Sequence, residues 1–214
     1  MGVQKITKEI AMTNEFSVKG YNSPKTKIGQ QKMDVLISSA EELFAKNGFY
    51  DTSVADICKN AQTAVGTFYI YFKTKTDVYR CLLEKYQRAI KEHLDESIKG
   101  CTTRYEKERQ GIKAFVKYAL QNPTAYNVIW GSLSIDEKLF HDYYVSFAES
   151  YARSLSKDSA GVSGTDYTSL AYLLMGISNF LGLRAIFENM TDEQIDEMID
   201  STIMPALSNG FIKA

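Results

Sequence analysis

Cysteine and histidine are scarce in this chain, and their positions exclude most metal and redox chemistry. Cys58, Cys81 and Cys101 are odd in number and widely spaced, so neither a disulfide framework nor a CxxC pair is present. His93 and His141 have no metal-ligand spacing. We therefore expect reduced thiols, no metal site and no cofactor.

Long apolar runs and catalytic motifs are also missing. No apolar stretch looks long enough to span a membrane, and residues 1–21 lack the regions of a secretory signal peptide. A cytoplasmic protein without a membrane partner is the default expectation. No nucleophile–base spacing or phosphate loop occurs, so an enzyme is disfavoured.

The sequence has only three prolines and little strand-like alternation, whereas apolar residues recur with a 3.6-residue period. This pattern predicts an all-α fold of about nine helices. Residues 1–27 are polar and aperiodic, which is typical of a tail. We expect residues 28–75 to form one domain and residues 76–214 a larger helical domain.

The segment from the first helix to Tyr79 predicts a helix-turn-helix. One helix is expected over residues 28–46, and a capping box formed by Ser53 and Asp56 starts a short second helix. A third short helix is expected over residues 64–71. Two such short helices need a third helix to pack against, and together they form a unit that can enter a DNA major groove.

Charge is distributed in agreement with that interpretation. Residues 1–85 carry 12 Lys and Arg against 9 Asp and Glu, and the rest carries 13 against 17. A slightly basic end joined to an acidic body suits a protein that presents one end to a polyanion such as double-stranded DNA.

The same segment resembles the DNA-binding domain of the TetR family of bacterial repressors. The resemblance rests on these residues: Ala40, Leu43, Phe44, Gly48, Phe49, Thr52, Ser53, Val54, Asp56, Ile57, Ala61, Gly66, Thr67, Phe68, Tyr69, Tyr71, Phe72, Lys75 and Val78. It implies a homodimeric, ligand-responsive regulator, more often a repressor than an activator, that binds a palindromic operator.

The resemblance also implies which residues contact DNA. Thr52, Ser53 and Lys75 lie at phosphate-contacting positions, and Thr67, Tyr69 and Tyr71 lie where recognition-helix residues meet phosphates or base edges. From the residues themselves, Lys27 can reach phosphate and Val65 can touch a thymine methyl group. We also include Gln62, expected to turn outward, and Thr63, expected to cap the third helix.

The stretch Gln62–Val65 departs from the family pattern. Members often have glycine, a small apolar residue, serine and then a basic residue before the next glycine. The departure keeps an alternative open: a helical small-molecule- or partner-binding protein with a degenerate DNA-binding head.

Aromatic residues are dense between Gly111 and Phe187, which is typical of an apolar cavity with a few polar groups, or of an aromatic-rich core without a ligand. Family resemblance favours the cavity, for a largely apolar or aromatic effector without multiple charges. The predicted lining residues are Tyr118, Tyr126, Trp130, Phe147, Tyr151, Tyr172 and Asn179.

Two helices are expected near the C-terminus, over residues 166–189 and 192–204, each with a stripe of apolar residues. We expect them to form a four-helix bundle with the same two helices of a second subunit. Gly176 and Gly182 would allow close helix approach. The predicted interface residues are Leu170, Leu174, Ile177, Leu181, Ile195, Ile199 and Ile203.

Overall fold

The structure is a computed structural model that describes residues 20–163 and 166–212. That part of the chain is all-α, with two isolated bridging pairs and no strand. The α-helices are α1 (Lys27–Asn47), α2 (Val54–Asn60), α3 (Val65–Tyr71), α4 (Lys75–Ser97), α5 (Arg104–Gln121), α6 (Pro123–Ile135), α7 (Glu137–Lys157), α8 (Tyr167–Glu188), α9 (Asp192–Met198) and α10 (Met204–Ser208).

The last two helices form one run, because a π-helical turn at Ile199–Ile203 joins α9 to α10. Counted this way, the described residues contain nine helices, as predicted. The run extends to Ser208, beyond the predicted end at Met204, because Pro205 occupies the first turn of α10, where a missing backbone N–H costs no hydrogen bond. Of the predicted tail, residues 1–19 lie outside the described residues.

Side-chain caps explain most of the helix starts. The capping box predicted at Ser53 with Asp56 is confirmed, and Thr191 with Gln194 forms another. Helix α7 begins differently, since Asp136 Oδ1 accepts the Lys138 N–H at 2.9 Å. The Ser134 hydroxyl donates backwards to the Gly131 carbonyl.

The chain divides into two compact units that differ from the predicted domains. Among the described residues, unit 1 contains 20–85 together with Val128–Ser146, and unit 2 contains Tyr86–Asn127, 147–163 and 166–212. Unit 1 is larger than the predicted segment 28–75 because the first part of α4 belongs to its core. Tyr79 on α4 donates its hydroxyl to the Val128 carbonyl at 2.6 Å.

The core of unit 1 is aromatic and aliphatic. Phe68 and Phe72 are fully buried, together with Leu36 of α1 and Ile57 of α2. The rings of Phe44 and Tyr79 lie 5.5 Å apart between centroids. The two short helices are therefore held by α1 and α4 rather than by their own hydrogen bonds.

In unit 2, α5 packs against α8 and against the C-terminal run. Gly182 permits the close approach, since a Cβ there would lie 3.1 Å from the Ala119 Cβ. A ladder of ion pairs joins α5 to the run. Its cations are Arg109, Lys113 and Lys117, and its anions are Asp192, Asp196 and Asp200.

Helix α8 corrects the expectation that no apolar segment reaches membrane length. By length and composition alone, Tyr167–Glu188 is long and apolar enough to cross a membrane. One of its faces, however, is packed into the core of unit 2, with Leu174 and Ala185 fully buried. A core helix of this kind meets the same criteria, so the finding is weak evidence for a membrane span.

Candidate nucleic-acid interface

The turn between α2 and α3 shapes the candidate interface. Gln62 adopts φ 52°, a left-handed conformation that favours glycine, and it takes the position where TetR-family sequences often have that residue. Ala64 is the N-cap of α3 and makes no side-chain capping hydrogen bond. The turn thus forms without the residues that usually stabilise it.

Helix α3 has one buried face and one outward face. Phe68 and Phe72 turn into the core, whereas Tyr69 is 56% exposed and Val65 and Ile70 are similarly open. Gly66 lies on the outward face, and a Cβ added there would meet nothing within 4 Å. An apolar, aromatic surface without acidic residues therefore extends along both turns of the helix.

Six of the ten predicted DNA-binding residues reach the surface of unit 1. Lys27, Ser53, Gln62, Val65 and Tyr69 are exposed, and Thr67 is half-buried. Ser53 accepts the Asp56 N–H at 3.1 Å and donates to the Asp56 carboxylate at 2.5 Å. The hydroxyl and then the backbone N–H of Ser53, which both donate to the Asp56 carboxylate, hold the pKa of Asp56 below its usual value, so the start of α2 keeps a negative charge at neutral pH.

Thr52 does not lie on this surface, and its predicted phosphate contact is wrong for the side chain. It is only 1% exposed, and its hydroxyl donates to the Gly48 carbonyl at 2.8 Å. This hydrogen bond satisfies a carbonyl near the C-terminal end of α1. Thr52 therefore fixes the loop between α1 and α2.

Lys75 is also used inside the unit rather than on its surface. Its ammonium group donates to the carbonyls of Phe49 and Thr52, the latter at 2.6 Å, and lies 4.2 Å from the centroid of the Phe49 ring. Burial lowers the pKa of this lysine. The phosphate contact of Lys75 stays a prediction, and in this structure the ammonium group binds two backbone oxygens.

The hydroxyl of Thr63 and the side chain of Tyr71 are also withdrawn from the surface. Thr63 Oγ1 is buried and has no hydrogen-bond partner among the described residues, so the predicted cap of α3 is absent. Tyr71 is 7% exposed, and its hydroxyl packs near Gly29 at the start of α1. Neither side chain is placed to contact DNA.

Two exposed residues were missed by the sequence reasoning. Ile70 lies on the outward face of α3, and Lys73 follows the helix as an exposed cation. Gly66, Tyr69 and Ile70 are spaced as one helical face, so the 3.6-residue period is the signal that identifies Ile70, whereas Lys73 lies beyond the end of α3.

Comparison with known proteins agrees with this geometry. Residues 36–81 match the family model described as bacterial regulatory proteins, tetR family. This match covers α2 and α3 together with parts of α1 and α4. Residues 36–81 are thus similar to the DNA-binding segment of tetR-family regulatory proteins.

Curated relatives match over the same end of the chain. The fatty acid metabolism regulator protein of Bacillus subtilis is 38% identical over 72 residues, which are 34% of this chain and 37% of that protein. The transcriptional regulator QacR of Staphylococcus aureus is 29% identical over 112 residues, 50% of this chain and 60% of QacR. The chain thus spans less than two thirds of the length of these relatives.

Solved structures of TetR regulators share the fold over most of the chain. A TetR-family protein from Syntrophomonas wolfei has a TM-score of 0.72 at 22% identity, covering 86% of this chain and 98% of that one. A TetR-like regulator from a Rhodococcus species has a TM-score of 0.64 at 16% identity, covering 87% and 99%. At these identities the likeness concerns the fold alone.

The predicted effector residues are divided between the two units. Tyr126 of unit 2 is buried and donates its hydroxyl to the Asn179 carbonyl, and Asn179 Nδ2 donates to the Met175 carbonyl at 2.8 Å. Tyr118 and Phe147 are half-buried in the same unit. Trp130 lies in unit 1, where its ring is 6.1 Å from that of Phe140.

Two of the predicted lining residues have other surroundings. Tyr172 is exposed on the outward face of α8, so it does not line a core cavity. Tyr151 donates its hydroxyl to Glu108, whose carboxylate also pairs with buried Arg104. Burial raises the pKa of Glu108 and of Tyr151, in spite of the arginine beside the carboxylate.

The predicted dimer residues form part of the core of unit 2 instead of an exposed face. Leu170, Leu174, Ile195 and Ile199 are buried in the core of unit 2, and Ile177, Leu181 and Ile203 pack against that core. The apolar residues that α8 leaves exposed lie on its other side. They are Tyr172, Leu173, Phe180 and Phe187, the last two being 65% and 74% exposed. Helix α8 is apolar on both sides, so periodicity alone selects the wrong stripe.

A surface groove of about 340 Å³ lies in unit 2, beside the end of α8. Its lining includes Arg184, Glu188, Gln194 and Glu197, and none of the predicted effector residues. Among the described residues, no three His, Cys, Asp or Glu side chains group as a metal site.

Proposed function

We propose that this chain is a ligand-responsive, homodimeric repressor that inserts α3 into the major groove of a palindromic operator. The observation that carries the proposal is the outward face of α3, where Val65, Tyr69 and Ile70 are exposed beside the open Gly66. A two-turn helix with such a face, held by two longer helices, has the form of a recognition helix. We propose that the chain binds DNA in the cytoplasm.

The proposed DNA contacts divide into two groups. Lys27, Ser53 and Lys73 are exposed at the ends of three helices and suit phosphate binding. Val65, Thr67 and Tyr69 are placed to meet base edges or thymine methyl groups. Gln62 is exposed beside them at the turn. Binding, rather than catalysis, accounts for this surface.

The homodimer is proposed to form through the outward face of α8. Four large apolar side chains, those of Tyr172, Leu173, Phe180 and Phe187, are exposed on one helix. An apolar patch of this kind on a soluble protein marks an interaction surface. A second copy of the chain is the occupant that also supplies the second recognition helix of a palindromic site.

The effector is proposed to be apolar or aromatic and to bind among the aromatic residues. Tyr118, Tyr126, Phe147 and Asn179 of unit 2 remain the proposed contacts, and Trp130 of unit 1 stays a separate prediction. The name of the Bacillus subtilis relative refers to fatty acid metabolism, but the match covers only 37% of that protein. It supports a DNA-binding head and does not identify an effector.

In vitro selection from random duplexes tests the proposal directly. The purified chain should enrich a palindrome, and Tyr69→Ala should weaken binding to it by about 1–3 kcal/mol. The matched control is Tyr50→Ala, which removes an exposed tyrosine of the same unit that lies outside α3. A chain that enriches no sequence would contradict the proposal.

A second candidate function is a ligand- or partner-binding protein whose head no longer reads DNA. The uncapped start of α3 and the strained Gln62 favour it, because both weaken the recognition helix. Salt-dependent binding without sequence preference would support this candidate over the repressor.

A further inference from the structure

The C-terminal end of α3 is bound by residues that precede α1. Asn22 Nδ2 donates to the Ile70 carbonyl and Asn22 N donates to the Tyr71 carbonyl, each at 2.8 Å. The last carbonyls of a helix have no partner within the helix and need one from outside. Asn22 therefore acts as an external cap for the proposed recognition helix.

The neighbouring residue binds the next helix. Tyr21 donates its hydroxyl to Glu84 Oε2 on α4 at 2.6 Å, and its ring lies 6.3 Å from that of Phe72. Tyr21 and Phe72 also pair as an isolated antiparallel bridge. A side chain at Gly20 would collide with Asp77, so the segment lies directly against α4. We call Tyr21 and Asn22 the N-terminal clamp.

We propose that the N-terminal clamp is a positioning element that sets the recognition helix relative to α4 and thereby determines operator discrimination. The inference rests on the proposed function. Helix α3 has only seven residues, and its N-cap, Ala64, has no side-chain bond. A helix this short does not hold its own geometry. The clamp fixes the C-terminal end of this helix by binding its last carbonyls.

Substitutions in the clamp should reduce the discrimination between operator and unrelated DNA more than they reduce the overall affinity for DNA. Base readout requires side chains to be held within about 0.5 Å of the productive geometry. Phosphate contacts tolerate more movement, and two of the three proposed phosphate contacts, Lys27 and Ser53, lie on other helices. Loosening α3 therefore lowers the affinity for the operator and leaves the affinity for unrelated DNA nearly unchanged.

The test uses the full chain and the duplex that it enriches from a random pool, with a scrambled duplex of equal length as reference. Tyr21→Phe removes one hydroxyl bond of 2.6 Å, and its matched control Tyr50→Phe removes the 2.6 Å bond to the Ser134 carbonyl in the same unit. Asn22→Ala removes one side-chain bond to Ile70, and Asn60→Ala removes the bond of 3.1 Å to Glu42.

Both clamp variants should lower the ratio of operator to scrambled affinity about tenfold, the loss expected from a disturbed base contact. The double variant should lose little more than either single variant, because the two residues act as a unit. The controls should keep the ratio within about twofold, and the scrambled affinity should stay unchanged in all five proteins.

Three outcomes decide between the possibilities. An unchanged ratio in the clamp variants overturns the positioning role. A parallel loss of both affinities, with a lower melting temperature, means that the segment only stabilises the unit, and this also overturns it. If the wild-type chain enriches no sequence, the proposed function itself fails and the clamp inference falls with it.

Discussion

Lys75 Nζ donates to the Thr52 carbonyl across 2.6 Å and so ties the start of α4 to the loop after α1. The same ammonium group also binds the Phe49 carbonyl and lies over the Phe49 ring. A lysine whose motif position suggests a phosphate contact is thus an internal brace of the DNA-binding unit.

Replacing Lys75 by Met should therefore lower the stability of the protein. Hydrogen bonds to a charged group contribute about 1.5–3 kcal/mol each, and two carbonyls lose their partner. Because Lys75 is half-buried and water can replace part of these bonds, we expect a loss of about 2 kcal/mol in urea unfolding, which is less than their sum. Lys73→Met, which removes an exposed lysine, is the control and should weaken DNA binding without changing stability. Equal stability of both variants would contradict the brace.

Such a brace cannot be foreseen from a motif, because the motif fixes only the position of the lysine. Ser53 and Thr52 illustrate the same limit. Both are adjacent hydroxyl residues before α2, yet the first caps the helix and the second is buried against α1. Local capping rules predict that Ser53 caps α2. The side chain of Thr52 points inward because of how α1 ends.

Substituting serine for Ala64 should stabilise α3. Ala64 has ψ 144°, the extended conformation of an N-cap, but no side-chain oxygen to bind the first N–H groups of the helix. Ala64→Ser should add about 1 kcal/mol to the free energy of unfolding. In Ala64→Val, the matched control, no such gain should occur. A serine variant no more stable than wild type would show that α3 needs no cap.

Gln62→Gly should relieve backbone strain at the turn. A non-glycine residue at φ 52° costs about 1–2 kcal/mol, which glycine avoids. Greater freedom of the unfolded chain offsets about 0.4–1 kcal/mol of this gain. We expect a net increase of up to about 1 kcal/mol in denaturant unfolding. Asn60→Gly, within α2, should instead destabilise the protein. An equal loss of unfolding free energy in both variants would contradict backbone strain at Gln62.

Stability should fall in acid because of Asp200. Arg109 and then Lys113 bind its carboxylate and lower its pKa to about 2 from the ordinary 3.8. A group with a depressed folded-state pKa stabilises above its unfolded value, and this contribution is lost as the pH falls from about 4 to about 2. Because Asp200 is partly exposed, solvent screening limits the contribution to about 1 kcal/mol.

Thermal unfolding measured between about pH 6 and about pH 2 tests this dependence of stability on Asp200. Asp200→Asn should be less stable than wild type at neutral pH, and the difference should vanish near about pH 2. Glu197→Gln is the control, since this exposed residue has no ion pair among those described. A constant difference between wild type and Asp200→Asn at all pH values would contradict the linkage.

Phe180→Asp should dissociate the proposed homodimer. It places a charge within the outward apolar face of α8, where the side chain is 65% exposed in a single subunit. Loss of a central aromatic contact in both subunits should raise the dimer dissociation constant about a hundredfold or more. Phe211→Asp, at an exposed phenylalanine near the C-terminus, should leave the dimer intact in sedimentation experiments. A dimeric Phe180→Asp would contradict the proposed face.

The helices were largely predictable from the sequence, but the role of each apolar stripe was not. Periodicity identifies α8 and the run that follows it, since both have apolar stripes at helical spacing. On α8, however, Leu174 and Phe180 belong to two apolar stripes of similar size. Only the packing of α5 against the Leu174 side shows which stripe is the core of unit 2.

The domain boundary was missed for a related reason. The prediction divided the chain at Lys75 because the motif ends there, yet Tyr79 binds Val128 and Tyr50 binds Ser134 within unit 1. Both hydrogen bonds join residues far apart in the sequence. Motif length therefore predicts the local helix-turn-helix and not the compact unit that contains it.

A hydroxyl-radical footprint on the enriched duplex tests the central claim most directly, namely that two copies of this chain read DNA with α3. Two protected half-sites are expected, with centres about one helical turn apart or separated by a multiple of about 10–10.5 base pairs. Tyr69→Ala should lose both half-sites together. Uniform protection along the duplex, or a single protected site, would contradict the claim.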